Sequence, residues 1–125
     1  MGTDKIIHPE LSEAIIGAAM KVLNTLRPGL DEKAYENALV IELKKRGHRI
    51  EQQKRYNVLY DGIVVDTLVP DLVVDELIVV DPKVVEDFTP THIAQMIGYL
   101  AVTKLRVALL LNCKFADLRW RRVVR

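Results

Sequence analysis

The segment from Val69 to Lys83, VPDLVVDELIVVDPK, is the stretch of this chain that decides how the rest is interpreted. Two apolar runs rich in β-branched residues flank a polar pair in its middle, which predicts a strand, a turn and a second strand. Asp71 stands near one end of the segment, and Asp81 and Lys83 stand at the other. Charged side chains at the ends of buried strands need a reason, because their burial is costly. Two carboxylates beside an ammonium can hold a divalent cation and activate water.

The length of the turn decides whether the two acids can meet. Asp81 and Lys83 are two residues apart on one predicted strand, so their side chains share a face. With a strict two-residue turn at 75–76, Asp71 would lie opposite Val80, and Asp81 would point the other way. An odd number of loop residues, or a bulge, would instead place Asp71 against Asp81.

Two prolines adjoin the acids, Pro70 beside Asp71 and Pro82 beside Asp81. Proline cannot donate a hydrogen bond to a sheet ladder and prefers edges and bulges. The prolines therefore predict distorted strand ends, where a backbone carbonyl could also reach a cation, or a sheet edge that simply frays.

Composition bounds the class of protein. A chain of 125 residues, of which 50% are hydrophobic, predicts one domain over 1–125 with a substantial core. A formal net charge of +1 does not by itself indicate nucleic-acid binding. Basic residues cluster, however, at 44–46, at 54–55 and at 119–125. Such clusters are typical of solvated surfaces, and a phosphate-binding patch is the alternative.

Cys113 is the only cysteine, so the chain can form neither an internal disulfide nor a cysteine-based zinc site. It lies in an apolar run and is interpreted as a small core residue, with a reactive thiol as the alternative. No signal peptide precedes the first helical pattern, and no apolar stretch reaches membrane-spanning length. We therefore expect a cytoplasmic protein with no membrane partner.

Hydrophobic periodicity predicts the order α-α-β-β-β-β-α-β, with one further short strand at the end. Helices are expected over 11–26, over 32–46 and after Thr89-Pro90. Strands are expected over 48–54, 56–60, 63–74, 77–83, 105–112 and 119–124. Asp31 and Thr89 are expected to cap the second and third helices, and Asp61-Gly62 predicts a tight hairpin.

Two helical segments carry polar residues that could serve a site. His92, Gln95 and Tyr99 stand at i, i+3 and i+7, so they line one face of the third helix. Glu32 and Tyr35 stand near the start of the second helix, where an acid also complements the helix dipole. Taken alone, each set is more typical of an ordinary helix surface than of a site.

Together these features resemble the GxxExxY proteins, a branch of the PD-(D/E)XK nuclease-like superfamily, over about 11–124. The matching motifs are GxxExxY at Gly29, Glu32 and Tyr35, D…(D/E)xK at Asp71, Asp81 and Lys83, and the helix HIAQMIGYL at 92–100. The resemblance implies a mixed α/β fold, the restriction-endonuclease-like αβββαβ core with an extra N-terminal helix. The chain departs from the family at 81–83, where Asp-Pro-Lys replaces the usual Glu-Leu-Lys. The shorter aspartate would bring a metal nearer to the strand, and Pro82 removes a ladder hydrogen bond.

The resemblance also implies metal-assisted hydrolysis of phosphodiester bonds, in DNA rather than RNA. Asp71 and Asp81 would be ligands of Mg²⁺, or of Mn²⁺ in its place. Glu32 would be aimed at the same site, and the backbone carbonyl of Pro82 would be a further ligand. Lys83 would orient or help to deprotonate the attacking water and would stabilise the transition state.

Supporting roles follow from the resemblance for residues of both helices. Gln95 would position Lys83 or the substrate, and Tyr99 and Tyr35 would support it. His92 belongs to the same helix motif and is assigned to the site with them.

Three functions remain open from the sequence. A Mg²⁺-dependent nuclease predicts that Asp71, Asp81 and Glu32 converge on one point with Lys83 alongside. A catalytically inactive relative that binds nucleic acid or protein predicts a splayed cluster, or Lys83 paired with the acids and no room for a cation. A homodimer, joined through an edge strand or an N-terminal helix, is compatible with either. A protein partner or DNA structure is expected to provide targeting, since the sequence shows no base-reading helix.

Overall fold

The computed structural model describes residues 7–125, and within that range it contains three helices and two sheets. The elements are α1 (Pro9–Leu26), α2 (Glu32–Lys45), β1 (Ile50–Gln52), β2 (Tyr56–Tyr60), β3 (Ile63–Leu68), β4 (Leu72–Val74), β5 (Ile78–Lys83), α3 (Pro90–Thr103), β6 (Val107–Asn112) and β7 (Arg119–Val124). Five strands lie between α2 and α3, where the sequence predicted four; the order otherwise agrees with the prediction, and the expected final strand is present as β7.

The main sheet has five strands in the order β1-β4-β5-β6-β7, so β5 is its central strand. Strand β5 pairs in parallel with β6, and the other three pairings are antiparallel. Helix α3 makes the crossover that a parallel pair requires. The elements α2-β1-β4-β5-α3-β6 form the expected αβββαβ core, with α1 as the extra N-terminal helix. The mixed α/β, restriction-endonuclease-like fold is confirmed.

Helices cover both faces of the sheet, and the alternation of side chains along each strand distributes them between two cores. The strand residues on the α1 and α2 side are Leu72, Val74, Ile78, Val80, Val107, Leu109 and Leu111. Those packed with Met96 and Leu100 of α3 are Val73, Val79, Ala108, Leu110 and Val123. Since Val79 faces α3, the same alternation directs Asp81 and Lys83 to the α3 side.

The continuous strand expected over 63–74 is wrong, because the chain divides it between two sheets. Strand β3 pairs only with β2, through the predicted two-residue turn at Asp61-Gly62, and these two strands form a separate sheet. Strand β4 joins the main sheet. The break falls at 69–71, where Pro70 offers no backbone N–H to continue a ladder.

The helix starts differ in how they are capped. Thr89 caps α3 as predicted, since its hydroxyl accepts a hydrogen bond from the His92 backbone N–H at 3.3 Å. Asp31 occupies the N-cap position of α2, but its side chain makes no cap hydrogen bond, so that prediction is wrong. The start of α2 is therefore fixed by contacts other than a side-chain cap, whereas α3 has a capping box.

Candidate active site

The turn between β4 and β5 has three residues, which brings the two acids to the same face. The strands pair as Leu72 with Val80 and Val74 with Ile78, leaving 75–77 as the loop. The prediction of a polar pair had left out Leu77, whose backbone N–H closes the turn onto the Val74 carbonyl at 3.0 Å. One more step of this register places Asp71 opposite Asp81. The odd loop length that a shared site requires is therefore present.

The two carboxyl groups form a close pair at the end of β5. Asp81 is only 3% exposed. Its burial raises its pKa from 3.8 to about 8, and the hydrogen bond and charge of Asp71 add to this effect. Lys83 opposes the rise, since its Nζ lies 3.5 Å from Asp81 Oδ2. Near neutral pH the pair therefore holds a proton that a cation could displace.

Pro82 lies in the central strand rather than at an edge, which corrects the expectation for this residue. The Cys113 N–H donates to the Lys83 carbonyl at 2.8 Å, so the peptide groups of Lys83 face β6. By alternation those of Pro82 face the β4 side, where pairing stops at Leu72. The missing N–H thus costs no ladder hydrogen bond, and the Pro82 carbonyl points to the side on which Asp71 lies.

Helix α3 brings Tyr99 to the acidic pair. Burial raises the pKa of Tyr99, and the nearby charges of Asp81 and Asp71 raise it further. Gln95 Nε2 donates a hydrogen bond to the Tyr99 hydroxyl at 3.0 Å. The tyrosine and the glutamine of the predicted helix face are therefore hydrogen-bonded to one another beside the acids.

His92 takes part in the start of α3. Its Nδ1 accepts a hydrogen bond from the Thr89 backbone N–H at 3.0 Å, while its own backbone N–H donates to the Thr89 hydroxyl. The edge of its ring also meets Phe88, with ring centroids 6.4 Å apart. These contacts give His92 a capping role at the N-terminus of α3.

Tyr35 holds the loop that joins α1 to α2. Its side chain is 1% exposed, and its hydroxyl donates to the Arg27 carbonyl at 2.6 Å. The same hydroxyl accepts from the Leu30 backbone N–H at 3.2 Å. Between these two partners Gly29 has φ 115°, a conformation that only glycine adopts freely. The tyrosine and the glycine of the GxxExxY pattern thus build one turn.

Glu32 lies at the start of α2, and its Oε1 accepts a hydrogen bond from the Val84 N–H, one residue beyond β5, at 3.3 Å. The described residues, 7–125, contain no group of three His, Cys, Asp or Glu side chains arranged to hold a metal. The expected convergence of Glu32 with Asp71 and Asp81 is therefore not seen. Helix α2 packs on the α1 side of the sheet, whereas alternation along β5 directs Asp81 to the α3 side.

Gln53, which the sequence did not indicate, contacts Asp71 and links it to Glu36. Gln53 Nε2 lies 3.2 Å from Asp71 Oδ1 and 3.1 Å from Glu36 Oε2. Glu36 follows Glu32 by one helical turn and is 4% exposed. The signal available in the sequence was an acid, Glu36, four residues after the candidate acid Glu32. Its partner Gln53, however, lies in the segment 48–54, which was interpreted only as a weak, polar strand.

Two further expectations concern Cys113 and membrane-spanning helices. Cys113 is buried, and burial raises the pKa of its thiol to about 11, which confirms the interpretation as an inert core residue. Among the helices of the described chain, none combines the length and the hydropathy needed to cross a membrane.

A comparison with protein families identifies the superfamily of this chain. The family model described as the PD-(D/E)XK nuclease superfamily matches residues 9–123, and the chain belongs to that superfamily. Its members are generally nucleases that bind nucleic acid and depend on divalent metals. Neither the search of curated proteins nor the search of solved structures found a match.

Proposed function

We propose that this chain is a Mg²⁺-dependent nuclease that hydrolyses phosphodiester bonds of DNA, and that Mn²⁺ can replace Mg²⁺. The observation that carries the proposal is the pair formed by Asp71 and Asp81, opposite one another on neighbouring strands with Lys83 beside them. We also assign the chain to the GxxExxY branch of the superfamily. The turn that Gly29 and Tyr35 build together supports this assignment.

The donor set of the pair fits a hard divalent cation. Carboxylate and carbonyl oxygens are the ligands that Mg²⁺ prefers, and displacing the shared proton would leave both aspartates charged. We propose Asp71, Asp81 and the carbonyl of Pro82 as ligands, with Glu32 as an acid at the rim of the site. When bound, the cation would polarise the scissile phosphate and lower the pKa of the attacking water.

Lys83 is the proposed catalytic cation of the chain. Its side chain is 13% exposed, so its charge acts in a partly water-excluded setting. From its place beside Asp81 the ammonium would donate to the attacking water and to the phosphate oxygen on which negative charge builds. Tyr99, held by Gln95, would limit how Lys83 and the phosphate move. His92 and Tyr35 would act indirectly, by fixing α3 and the loop before α2.

Targeting is part of the same proposal. Because the formal net charge is only +1, contacts with the phosphate backbone would give modest affinity for DNA. We therefore propose that a protein partner, or a second copy of the chain, adds to the recognition of the substrate.

The test is cleavage of labelled single-stranded, duplex and branched DNA, and of matched RNA, with Mg²⁺ or Mn²⁺. Lys83→Ala and Asp81→Asn should each lower cleavage by about 10²–10³-fold, as expected when one charged group is removed from such a site. Asp66→Asn, on the exposed hairpin, is the matched control and should cut like the wild type. Metal-dependent cleavage that persists in both site variants would contradict the assignment.

A non-catalytic binding protein is the second candidate. It is favoured by the ion pair between Lys83 and Asp81, and by the absence of a three-acid group within 7–125. For this function, binding of DNA should survive a chelator, and no substrate should be cut. Cleavage that a chelator abolishes would exclude it.

A further inference from the structure

The side-chain amide of Gln53 bridges two carboxylates. Its Nε2 lies 3.1 Å from Glu36 Oε2 and 3.2 Å from Asp71 Oδ1. Ionised carboxylates only accept hydrogen bonds, so the amide nitrogen is the atom that must face both. The two protons of one –NH₂ group are thus directed at two acids that lie on different elements.

The backbone of Gln53 is bound to the same aspartate. Its N–H donates to the Asp71 carbonyl at 3.0 Å, directly after the end of β1. Gln53 has φ 57°, in the left-handed region, where a residue other than glycine is strained. A strained conformation persists where its surroundings determine it, and here both the backbone and the side chain of Gln53 are directed at Asp71.

Glu36 forms the fixed end of the bridge. This carboxylate is 4% exposed and accepts from Gln52 Nε2 at 2.7 Å as well as from Gln53. Lys33 Nζ lies 3.3 Å from its other oxygen. A buried acid with these partners has little freedom to move, so it fixes the Gln53 amide in turn.

We propose that Gln53 is a positioning residue that holds Asp71 in the orientation facing Asp81. By occupying Oδ1 of Asp71, the amide leaves Oδ2 for the cation. The effect on metal affinity rests on the proposed metal-dependent function, but the orientation of Asp71 can be measured without metal. Groups behind a metal ligand commonly contribute about 10–100-fold to metal affinity, and we expect an effect at the lower end of this range.

Gln53→Gly tests the proposal, because glycine removes the amide and also relieves the left-handed φ. The variant should keep or raise the melting temperature, and it should weaken Mg²⁺ binding by about 10-fold in calorimetry. Asn57→Ala is the matched control, since it removes an exposed amide from β2, which belongs to the separate sheet. Its Mg²⁺ affinity should equal that of the wild type.

A metal-free measurement separates this proposal from the proposed function. Side-chain couplings measured by NMR should show Asp71 in one χ1 rotamer in the wild type and in Asn57→Ala, and averaged in Gln53→Gly. Averaging in the Gln53 variant alone supports the bridge, even if the wild type binds no Mg²⁺ and the nuclease proposal fails. A single Asp71 rotamer in Gln53→Gly overturns it, and so does an unchanged Mg²⁺ affinity in that variant if the wild type binds the ion.

Discussion

The two β-hairpins of this protein have similar amino-acid composition, but one is largely exposed to solvent and the other is buried. The β2–β3 hairpin turns through two residues, Asp61 and Gly62, and forms a sheet of its own. The β4–β5 hairpin turns through the three residues 75–77 and lies in the centre of the main sheet. Both loops contain consecutive residues with positive φ, at 49° and 76° in the first and at 53° and 58° in the second.

The difference shows where register matters. In β2–β3 the pairing shifts between Val58 and Leu59, and large apolar side chains still remain in solvent on this hairpin. They are Leu59, Tyr60, Ile63, Val64 and Val65. In β4–β5, a shift of one residue would turn Asp71 away from Asp81. The exposed hairpin tolerates irregularity, whereas the buried one needs an odd loop for the site to exist.

The largest expected effect comes from shortening the buried turn. Asp75→Asn combined with Glu76→Gly keeps the chain length and should favour a two-residue turn at 75–76, which pairs Val74 with Leu77 and places Asp71 opposite Val80. Cleavage should then fall as far as in Asp81→Asn, by about 10²–10³-fold. Replacing Asp61-Gly62 by Asn-Gly in the exposed hairpin should change nothing. Circular dichroism and a cooperative melt would establish that the double variant folds, and full activity in a folded protein would contradict the explanation by loop length.

A second effect concerns pH and follows from the pair that the buried hairpin carries. The folded protein keeps the Asp81 proton up to about pH 8, whereas the unfolded chain loses it near pH 4. Stability should therefore fall as pH rises between these values, by up to about 1 kcal/mol per pH unit. Mg²⁺ should stabilise the protein more at pH 8.5 than at pH 6, because it competes with the proton. Melting curves with and without Mg²⁺ measure both, and Asp81→Asn should remove the slope.

A third comparison tests packing in the two hairpins with the same substitution. Val80 in β5 is 0% exposed and Val65 in β3 is 60% exposed. Val80→Ala should lower the free energy of unfolding by roughly 2 kcal/mol through the cavity it leaves. Val65→Ala should change it by less than about 0.5 kcal/mol. Urea denaturation measures both, and equal losses would indicate that the exposed hairpin is packed in solution.

The smallest effect is expected at the tight turn itself. Gly62→Ala places a Cβ on a residue with φ 76° and should cost about 1 kcal/mol. Because β2 and β3 lie outside the main sheet, cleavage should be unaffected while hydrogen exchange in the hairpin becomes faster. A loss of cleavage would show that the hairpin contributes to the site.

Local patterns in the sequence were sufficient for the elements themselves. Asp61-Gly62, Thr89-Pro90 and the apolar runs around 75–77 are local signals, and each predicted its element correctly. The break of the strand at Pro70 was missed, because a β-branched run does not show which sheet each half will join. Loop length was left open for a similar reason, since Leu77 is an apolar residue typical of a strand but belongs to the turn.

The candidate site was predictable only where the residues are close in sequence. Asp81 and Lys83 share a strand, so their proximity follows from alternation. The places of Glu32 and Gln53 depend on how α2 and β1 pack against the sheet. The GxxExxY motif indicates Glu32, but it does not indicate that Glu32 accepts a hydrogen bond from the Val84 N–H. Gln53 belongs to no motif, and only the assembled fold brings it to Asp71.

The three-residue turn has a consequence for comparing related chains. Nine residues, 72–80, separate Asp71 from Asp81, so the acids lie opposite one another only if the turn takes an odd number of these residues. A chain with the same nine-residue spacing, both aspartates and the lysine, but with a two-residue turn, would keep every charged side chain and lose the shared face. Whether the turn has an odd or an even number of residues is thus a marker for loss of the site. An inspection of the charged residues alone would overlook it.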